Sequence, residues 1–288
     1  MDTATRPSDA LRPLSLNIRG SIIEFSRPYV MGILNITPDS FYGPSRVSDP
    51  RAAVMKARTM IADGADIIDI GACSTRPGST APDEEEELGR LMPALKAIRE
   101  ALPEAIISVD TFRSGVAEAC LSNGLADIIN DVSGGEDPEM FAAVARHKAA
   151  YILMHSRGDA ESMDALCRYG DVVADVVSEL AFRLSRARSA GICDIIVDPG
   201  FGFAKTTEQN FRLLASLDRL QVLGCPILAG ISRKRMTRQQ PQDSPADSLP
   251  ATLALNAAAL LKGASIIRVH DVPEAVQTAK AIEKLWKA

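Results

Sequence analysis

Short runs of aliphatic and β-branched residues alternate with longer amphipathic stretches along most of the chain. This alternation is typical of repeated βα units around a parallel sheet. The runs that predict strands are Val30 to Leu34, Ile67 to Ile70, Ile106 to Val109, Ile128 to Asn130, Tyr151 to Met154, Ile195 to Val197, Ile227 to Ala229 and Ile266 to Val269. The stretches that predict helices are Arg51 to Asp63, Glu84 to Glu100, Gly115 to Ser122, Val172 to Ala190, Thr207 to Leu217, Ala251 to Lys262 and Pro273 to Trp286. Eight βα repeats in roughly 250 residues predict an α/β protein that is a single (β/α)8 TIM barrel.

Two shorter alternating runs, Leu14 to Ile18 and Ser21 to Phe25, precede the first repeat and are separated by Arg19-Gly20. They predict a β-hairpin, which we expect at the bottom face of the barrel. Residues 1–13 predict a flexible tail, and residues 14–288 are expected to form one domain because no linker rich in Pro, Gly and Ser divides them. A doubly wound sheet would use fewer strands and leave part of the length unexplained.

Composition narrows the possible partners. The chain has 288 residues, of which 46% are hydrophobic and 24% charged, as in soluble globular proteins. Its 32 basic and 37 acidic residues give a net charge of −5, so no overall basic field exists to attract nucleic acid or an anionic membrane.

The 5 cysteines are scattered without a Cys-x-x-Cys pair, which predicts neither a disulfide framework nor a zinc site. With no signal peptide or spanning segment recognisable in the sequence, we expect a cytoplasmic protein.

Polar residues recur where the predicted strands end. They are Asn35, Asp69, Asp110, Asn130, His155, Asp198, Ser232 and His270. The C-terminal strand ends of a TIM barrel meet at one mouth, where active sites lie. Each residue alone could equally cap the following helix, but a full set in register favours a binding and catalytic site.

Three of these residues suggest a heterocycle as ligand. Asp110 and Asn130 end adjacent strands, where a carboxylate and a carboxamide can offer acceptors and donors together to a planar ring. Asp198 ends an otherwise apolar strand, where a buried carboxylate is costly unless a ligand or partner hydrogen-bonds to it.

Four basic residues suggest an anion. Arg76 lies in a loop rich in Gly, Ser and Pro, where its guanidinium can bind an anion or simply face solvent. Arg268 and His270 alternate on the last strand and so share a side, and with Lys234 they predict a cationic cluster. The ends of strands 7 and 8 are the usual phosphate site of the barrel.

Five motifs occur in a fixed order: Asn-Ile-Thr-Pro-Asp-Ser-Phe at 35–41, Ser-Thr-Arg-Pro-Gly at 74–78, Asp-Pro-Gly-Phe-Gly-Phe at 198–203, Ser-Arg-Lys at 232–234 and Arg-Val-His-Asp-Val at 268–272. Together they resemble the dihydropteroate synthases of the folate pathway, from about Val30 to Lys284. Any one of them alone would be weak evidence.

The resemblance implies condensation of 6-hydroxymethyl-7,8-dihydropterin diphosphate with 4-aminobenzoate, giving dihydropteroate and pyrophosphate, with Mg²⁺ on the diphosphate. It assigns catalytic roles to Asp110, Lys234, Arg268 and His270. The pterin residues carried over are Asp110, Asn130, Met154, Asp198 and Lys234. Those for the diphosphate are Asn35, Arg76, Arg268 and His270, with Asn35 also contacting the metal. Those for 4-aminobenzoate, where sulfonamides compete in this family, are Thr75, Pro77, Phe203 and Arg235. The family also implies a homodimer.

The expected mechanism is dissociative, because pyrophosphate departure leaves a methylene cation that the pterin ring stabilises. No enzyme nucleophile is required, and Cys73 has no basic partner identifiable from the sequence.

Three positions depart from the family pattern. Tyr42 to Arg46 replaces a common Asp-Gly-Gly, Ala72-Cys73 replaces a frequent Gly-Glu, and Arg235 replaces a usual Ser. Two alternatives therefore stay open. One is a pterin-dependent methyltransferase on the same barrel, which has no obvious need for the basic residues. The other is a non-catalytic pterin-binding paralogue that the altered loops have deprived of turnover.

Overall fold

The computed structural model describes residues 14–36, 50–73, 82–158, 162–238 and 247–288. The strands in these ranges are β1 (Ser15–Ile18), β2 (Ser21–Glu24), β3 (Tyr29–Asn35), β4 (Ile67–Gly71), β5 (Ile106–Asp110), β6 (Ile128–Asp131), β7 (Ala150–Met154), β8 (Ile195–Asp198), β9 (Leu228–Ala229) and β10 (Ile266–Val269). The helices are α1 (Pro50–Ala62), α2 (Glu84–Ala101), α3 (Ser114–Ser122), α4 (Met140–His147), α5 (Val172–Ser189), α6 (Thr207–Ala215), α7 (Leu249–Leu261) and α8 (Val272–Lys287). Short 3-10 helices cover Met163–Leu166, Leu217–Leu223 and Arg235–Thr237.

Strands β3 to β10 form one parallel sheet in the order β8-β7-β6-β5-β4-β3-β10-β9. A bridge between Val197 and Ile227 joins the two edges, and the Val197 amide donates to the Pro226 carbonyl at 2.9 Å. The sheet therefore closes on itself, and the predicted TIM barrel is confirmed. The tail predicted for residues 1–13 lies outside the described residues.

Each predicted strand overlaps an observed one, whereas no bounds were predicted for helix α4, which contains His147. It has only 8 residues, and its N-cap residue, Glu139, makes no side-chain cap hydrogen bond. Helices with strong start signals were found more easily: Asp83 caps α2 by accepting from the Glu86 amide, and Thr206 and Gln209 form a reciprocal capping box on α6. Among the described helices, none is long and apolar enough to cross a membrane.

The interior of the barrel is apolar at the bottom and polar at the top. The bottom layer is a buried cluster with members on seven of the eight barrel strands, including Met31, Ile67, Ile128, Ile152, Ile196, Leu228 and Ile266. Leu16 and Ile18 of the β1–β2 hairpin pack into this cluster, which confirms the hairpin at the bottom face. Two residues further along the strands stand Asp69, Asn130, Asp198 and Arg268. This polar layer is the floor of the candidate site.

Candidate active site

Three predicted site residues, Asn35, Asp110 and Asn130, lie at one level of the sheet together with Gly71. The strand register pairs Asn35 with Gly71, Gly71 with Asp110, and Asp110 with Asn130. Met154, the last residue of β7, pairs with Asp198 on the next strand. The barrel therefore brings the predicted pterin residues of β5 to β8 to adjacent strand ends.

Arg268 lies between two carboxylates in the polar layer. Its Nε donates to Asp69 Oδ2 at 2.6 Å, and its terminal nitrogen donates to Asp110 Oδ2 at 2.7 Å. Asp69 also accepts hydrogen bonds from Ser108 Oγ at 2.6 Å and from Asn130 Nδ2 at 3.1 Å. Side chains from β4, β5, β6 and β10 thus form one network.

Asp110 has an altered acidity in this network. Burial raises the pKa of Asp110 to about 7, against the opposing effect of the Arg268 guanidinium, and the Asp69 carboxylate raises it further. Asp110 is therefore poised between its charged and neutral forms near neutral pH.

Asp198 and Lys234 form a second polar group on the other side of the mouth. Lys234 Nζ donates to the Phe201 carbonyl and lies 4.6 Å from the centroid of the Phe203 ring. Burial raises the pKa of Asp198, whereas the ammonium of Lys234 lowers it. Burial lowers the pKa of Lys234 to about 8, and the Asp198 carboxylate opposes that shift. Because its pKa is about 8, the Lys234 amine can change protonation state when a ligand replaces water around it.

The buried side chain of Lys205 contacts the loop that follows β8. Its Nζ contacts the carbonyls of Gly200 and Phe203 and the Nδ1 atom of His155, each at 3.0 Å. Gly200 has φ 69°, and a Cβ there would collide with the His155 carbonyl oxygen, so the turn requires glycine. Lys205 belongs to the motif that follows Asp198, but no role was predicted for it.

The loop after β9 contains a non-glycine residue in the left-handed region. Arg233 has φ 59°, and its guanidinium binds Asp271 through Nε at 3.2 Å and a terminal nitrogen at 2.5 Å. This conformation directs the next residue, Lys234, into the barrel. His270 Nδ1 lies 3.0 Å from Ser232 Oγ.

The predicted cationic cluster of Lys234, Arg268 and His270 lies beside carboxylates in the structure. Arg268 lies near Lys234, since its charge contributes to the lowered pKa of Lys234, but its nearest partners are carboxylates. Its role and that of His270 at a diphosphate stay predictions.

The residues predicted for 4-aminobenzoate are only partly described. Thr75, Arg76 and Pro77 lie outside the described residues, as do Tyr42 to Arg46. Arg235 forms an ion pair with Asp164, at 3.2 and 2.9 Å, and the two side chains are 62% and 53% exposed. Surface pairs of this kind are weak, so the guanidinium can exchange this partner for a ligand carboxylate.

Cys73 has a basic neighbour that could not be identified from the sequence. Its Sγ lies 3.7 Å from a terminal nitrogen of Arg113, which also pairs with the buried Glu87. Burial raises the pKa of the Cys73 thiol to about 12, and Glu87 adds to the shift. The thiol therefore stays protonated and is a poor nucleophile.

Asn35 is the residue predicted to contact a metal. The described residues contain no group of three or more His, Cys, Asp or Glu side chains that could hold a metal ion. A Mg²⁺ ion that is bound mainly by substrate phosphates and water needs only one or two protein oxygens. Asn35, at the end of β3, offers one such oxygen, so the donor set fits an ion that arrives with a diphosphate.

The family model described as pterin binding enzyme matches residues 31–270. A dihydropteroate synthase of Synechocystis is 41% identical over 100% of both chains. A structure of the Xanthomonas albilineans dihydropteroate synthase with 4-aminobenzoic acid has a TM-score of 0.88 and 38% identity, covering 96% of this chain and 100% of that one. A Yersinia pestis dihydropteroate synthase with a sulfonamide drug has a TM-score of 0.88 and 36% identity, covering 95% and 99%. This chain belongs to the pterin binding enzyme family, among its dihydropteroate synthases.

Proposed function

We propose that the protein condenses 6-hydroxymethyl-7,8-dihydropterin diphosphate with 4-aminobenzoate to give 7,8-dihydropteroate and pyrophosphate. The observation that carries this proposal is the convergence of Asp110, Asn130, Asp198, Lys234 and Arg268 at one mouth of the barrel. The synthase of Synechocystis, which is similar over the full length, supports it.

The pterin is held by the carboxylates and the amide on adjacent strands. Asp110 and Asn130 face it from β5 and β6, and Asp198 faces it from β8. A ligand that donates N–H groups stabilises the charged forms of Asp198 and Asp110, because both are largely buried carboxylates with raised pKa values. Lys234 and the apolar side chain of Met154 complete this side of the pocket.

The diphosphate lies toward the last strand, within reach of Arg268 and His270, and Arg76, which lies outside the described residues, is its further predicted contact. The two carboxylate bonds of Arg268 use Nε and one terminal nitrogen, so its fork has donors to spare for phosphate oxygens. His270, near Ser232 on the adjacent loop, adds a second donor. Mg²⁺, contacted by Asn35, would neutralise charge on the diphosphate when bound.

The chain's own residues assist bond cleavage electrostatically. As the C–O bond ionises, Arg268 and His270 stabilise the charge on the departing pyrophosphate, and Asp110 stabilises the cation on the pterin methylene. The neutral amine of 4-aminobenzoate then attacks that carbon and afterwards loses a proton. The protonated thiol of Cys73 takes no part in this sequence.

The aminobenzoate lies beside Phe203, and Arg235 pairs with its carboxylate after leaving Asp164. Thr75 and Pro77, which lie outside the described residues, are its further predicted contacts. Sulfonamides would compete there, in keeping with the sulfonamide complex of the Yersinia pestis enzyme. Arg235→Ala should raise the KM for 4-aminobenzoate and leave the KM for the pterin diphosphate unchanged. An unchanged KM for both substrates would remove Arg235 from the site.

The decisive experiment measures pyrophosphate release by the purified chain given the pterin diphosphate and Mg²⁺, with and without 4-aminobenzoate. Release that depends on the arylamine, together with dihydropteroate, is expected. Asp198→Ala, which deletes a proposed pterin contact, should abolish both. Tight binding of the pterin diphosphate without either product would instead support the non-catalytic paralogue.

A cytoplasmic homodimer is the proposed state of the protein. Light scattering on the purified chain should give a mass of two copies, and a mass of one copy would contradict the dimer. The dihydropteroate synthases to which the chain is similar favour the synthase over the pterin-dependent methyltransferase.

A further inference from the structure

Asp69 contacts side chains from three other strands and is fully buried. Oδ1 accepts from Ser108, and Oδ2 accepts from Asn130 Nδ2 and from Arg268 Nε. Its exposure is 0%, so the carboxylate is surrounded by protein donors. A buried carboxylate satisfied in this way stabilises the arrangement of the donors around it.

The orientation of the Asn130 amide follows from this contact. A carboxylate only accepts hydrogen bonds, so the Asn130 atom that faces Asp69 must be the nitrogen. The carbonyl oxygen Oδ1 then points away from Asp69 and is the atom available to another donor. With the amide reversed, two oxygens would face each other in a buried site, which is strongly unfavourable.

Asp69 fixes Arg268 through the same oxygen. The bond from Arg268 Nε, at 2.6 Å, sets the plane of the guanidinium, and this plane brings a terminal nitrogen to Asp110 at 2.7 Å. Asp110 and Asn130 pair directly in the strand register. One buried carboxylate therefore controls the polar atoms on two neighbouring strand ends.

We propose that Asp69 is a positioning residue that holds the Asn130 carboxamide with Oδ1 toward the ligand, so that the pocket selects a heterocycle edge bearing N–H donors. The inference rests on the proposed function for the identity of that ligand as a pterin. Asp69 itself does not touch the ligand, and its effect passes through Asn130.

The test compares two ligands that differ at a single donor. They are 6-hydroxymethylpterin and its 2-deamino analogue, in which a hydrogen atom replaces the 2-amino donor and the ring nitrogens are unchanged. Dissociation constants for both are measured with the unaltered protein, with Asp69→Asn and with Ser108→Ala. Asp69→Asn keeps the shape of the side chain, but the new amide can present either its oxygen or its nitrogen to Asn130. The Asn130 amide can therefore adopt the reversed orientation.

The unaltered protein should prefer the pterin, and Asp69→Asn should reduce that preference about tenfold, the effect of roughly one hydrogen bond between buried groups. Ser108→Ala removes a different contact of Asp69 and should leave the preference intact. An unchanged preference in Asp69→Asn, or an equal loss in Ser108→Ala, would overturn the proposal.

Circular dichroism establishes whether each variant is folded. If Asp69→Asn does not fold, the unaltered protein labelled with ¹⁵N at asparagine decides the question. The Asn130 side-chain amide, assigned by its loss in Asn130→Ser, should exchange slowly with solvent, and fast exchange would overturn the proposal. A protein that prefers the pterin but forms no dihydropteroate would contradict the proposed function and leave the inference on Asp69 standing.

Discussion

The Nζ atom of Lys205 lies 3.0 Å from the Nδ1 atom of His155, behind the loop that carries Asp198 and Phe203. Burial lowers the pKa of His155 to about 4, so the ring is neutral at neutral pH and Nδ1 can accept this hydrogen bond. The ring proton then lies on Nε2, which faces Glu179 Oε2 at 3.1 Å. Lys205 therefore connects the loop to helix α5 through a chain of polar contacts.

Replacing Lys205 by Met should weaken catalysis without removing any proposed substrate contact. The carbonyls of Gly200 and Phe203 lose their buried donor, so the loop no longer holds Phe203 in one position. We expect kcat/KM for 4-aminobenzoate to fall by about tenfold or more in steady-state assays. Lys262→Met, in which an exposed lysine near Asp218 is replaced, serves as control and should be silent. Parental kinetics in Lys205→Met would show that the loop does not depend on this amine.

The pH dependence of kcat/KM for the pterin diphosphate should be bell-shaped. Burial raises the pKa of Asp110 to about 7, so activity that needs its carboxylate rises as the pH increases through 7. Burial lowers the pKa of Lys234 to about 8, so activity that needs its ammonium falls as the pH increases through 8. Kinetics at a series of pH values check both limbs.

Lys234→Arg supplies the matched variant for the alkaline limb. Arginine stays charged throughout this range, so the residual activity of the variant should no longer fall near pH 8. A limb that stays in place would belong to another group, such as Lys205, because burial lowers the pKa of Lys205 to about 7.

Tyr151→Phe should destabilise the fold and leave the site intact. The Tyr151 hydroxyl donates to Asp131 Oδ2 at 2.6 Å, and Asp131 also accepts from the amides of Ser133 and Gly135, at 2.8 Å each. Losing this buried bond should lower the free energy of unfolding by about 2 kcal/mol in denaturant titrations. Tyr29→Phe, at a half-buried tyrosine whose hydroxyl has no hydrogen bond among the described residues, should change it by less than about 0.5 kcal/mol. Equal effects of the two substitutions would contradict this reasoning.

Cys73 should be chemically inert. Burial raises the pKa of its thiol to about 12, so alkylation at pH 8, followed by mass spectrometry, should modify the exposed Cys193 well before Cys73. Cys73→Ser should retain substantial turnover. A loss of activity comparable to that of Asp198→Ala would give Cys73 a role in the reaction.

The barrel could be predicted from the sequence because its signal is local and repeated. Runs such as Tyr151 to Met154 and Ile195 to Val197 are apolar on both faces, as expected of strands covered by helices outside and by a core inside. The hairpin was also predictable, since Leu16 and Ile18 alternate with polar residues. Helix α4 is short and has no side-chain cap, so its bounds could not be placed from the sequence.

The site was predictable as a set of positions but not as a set of contacts. The strand ends identified Asp110, Asn130 and Asp198, because polar residues follow apolar runs there, and Lys234 was identified as a basic residue near the expected phosphate site. The contact between Asp69 and Arg268 joins residues 199 positions apart, and no local pattern records it. Lys205 was missed for a related reason, since its importance comes from burial behind the loop rather than from its place in the motif.

The barrel is closed where strand pairing is shortest. β9 has only two residues, and between β8 and the chain leading into β9 the structure has the bridge from Val197 to Ile227. Asp198 follows Val197 directly, whereas Lys234 comes from the loop on the other side of this junction. A bound pterin that contacts both side chains would span the junction and add its own binding free energy to the cohesion of the sheet. The same two contacts would then contribute both to the affinity for the substrate and to the free energy needed to open the barrel.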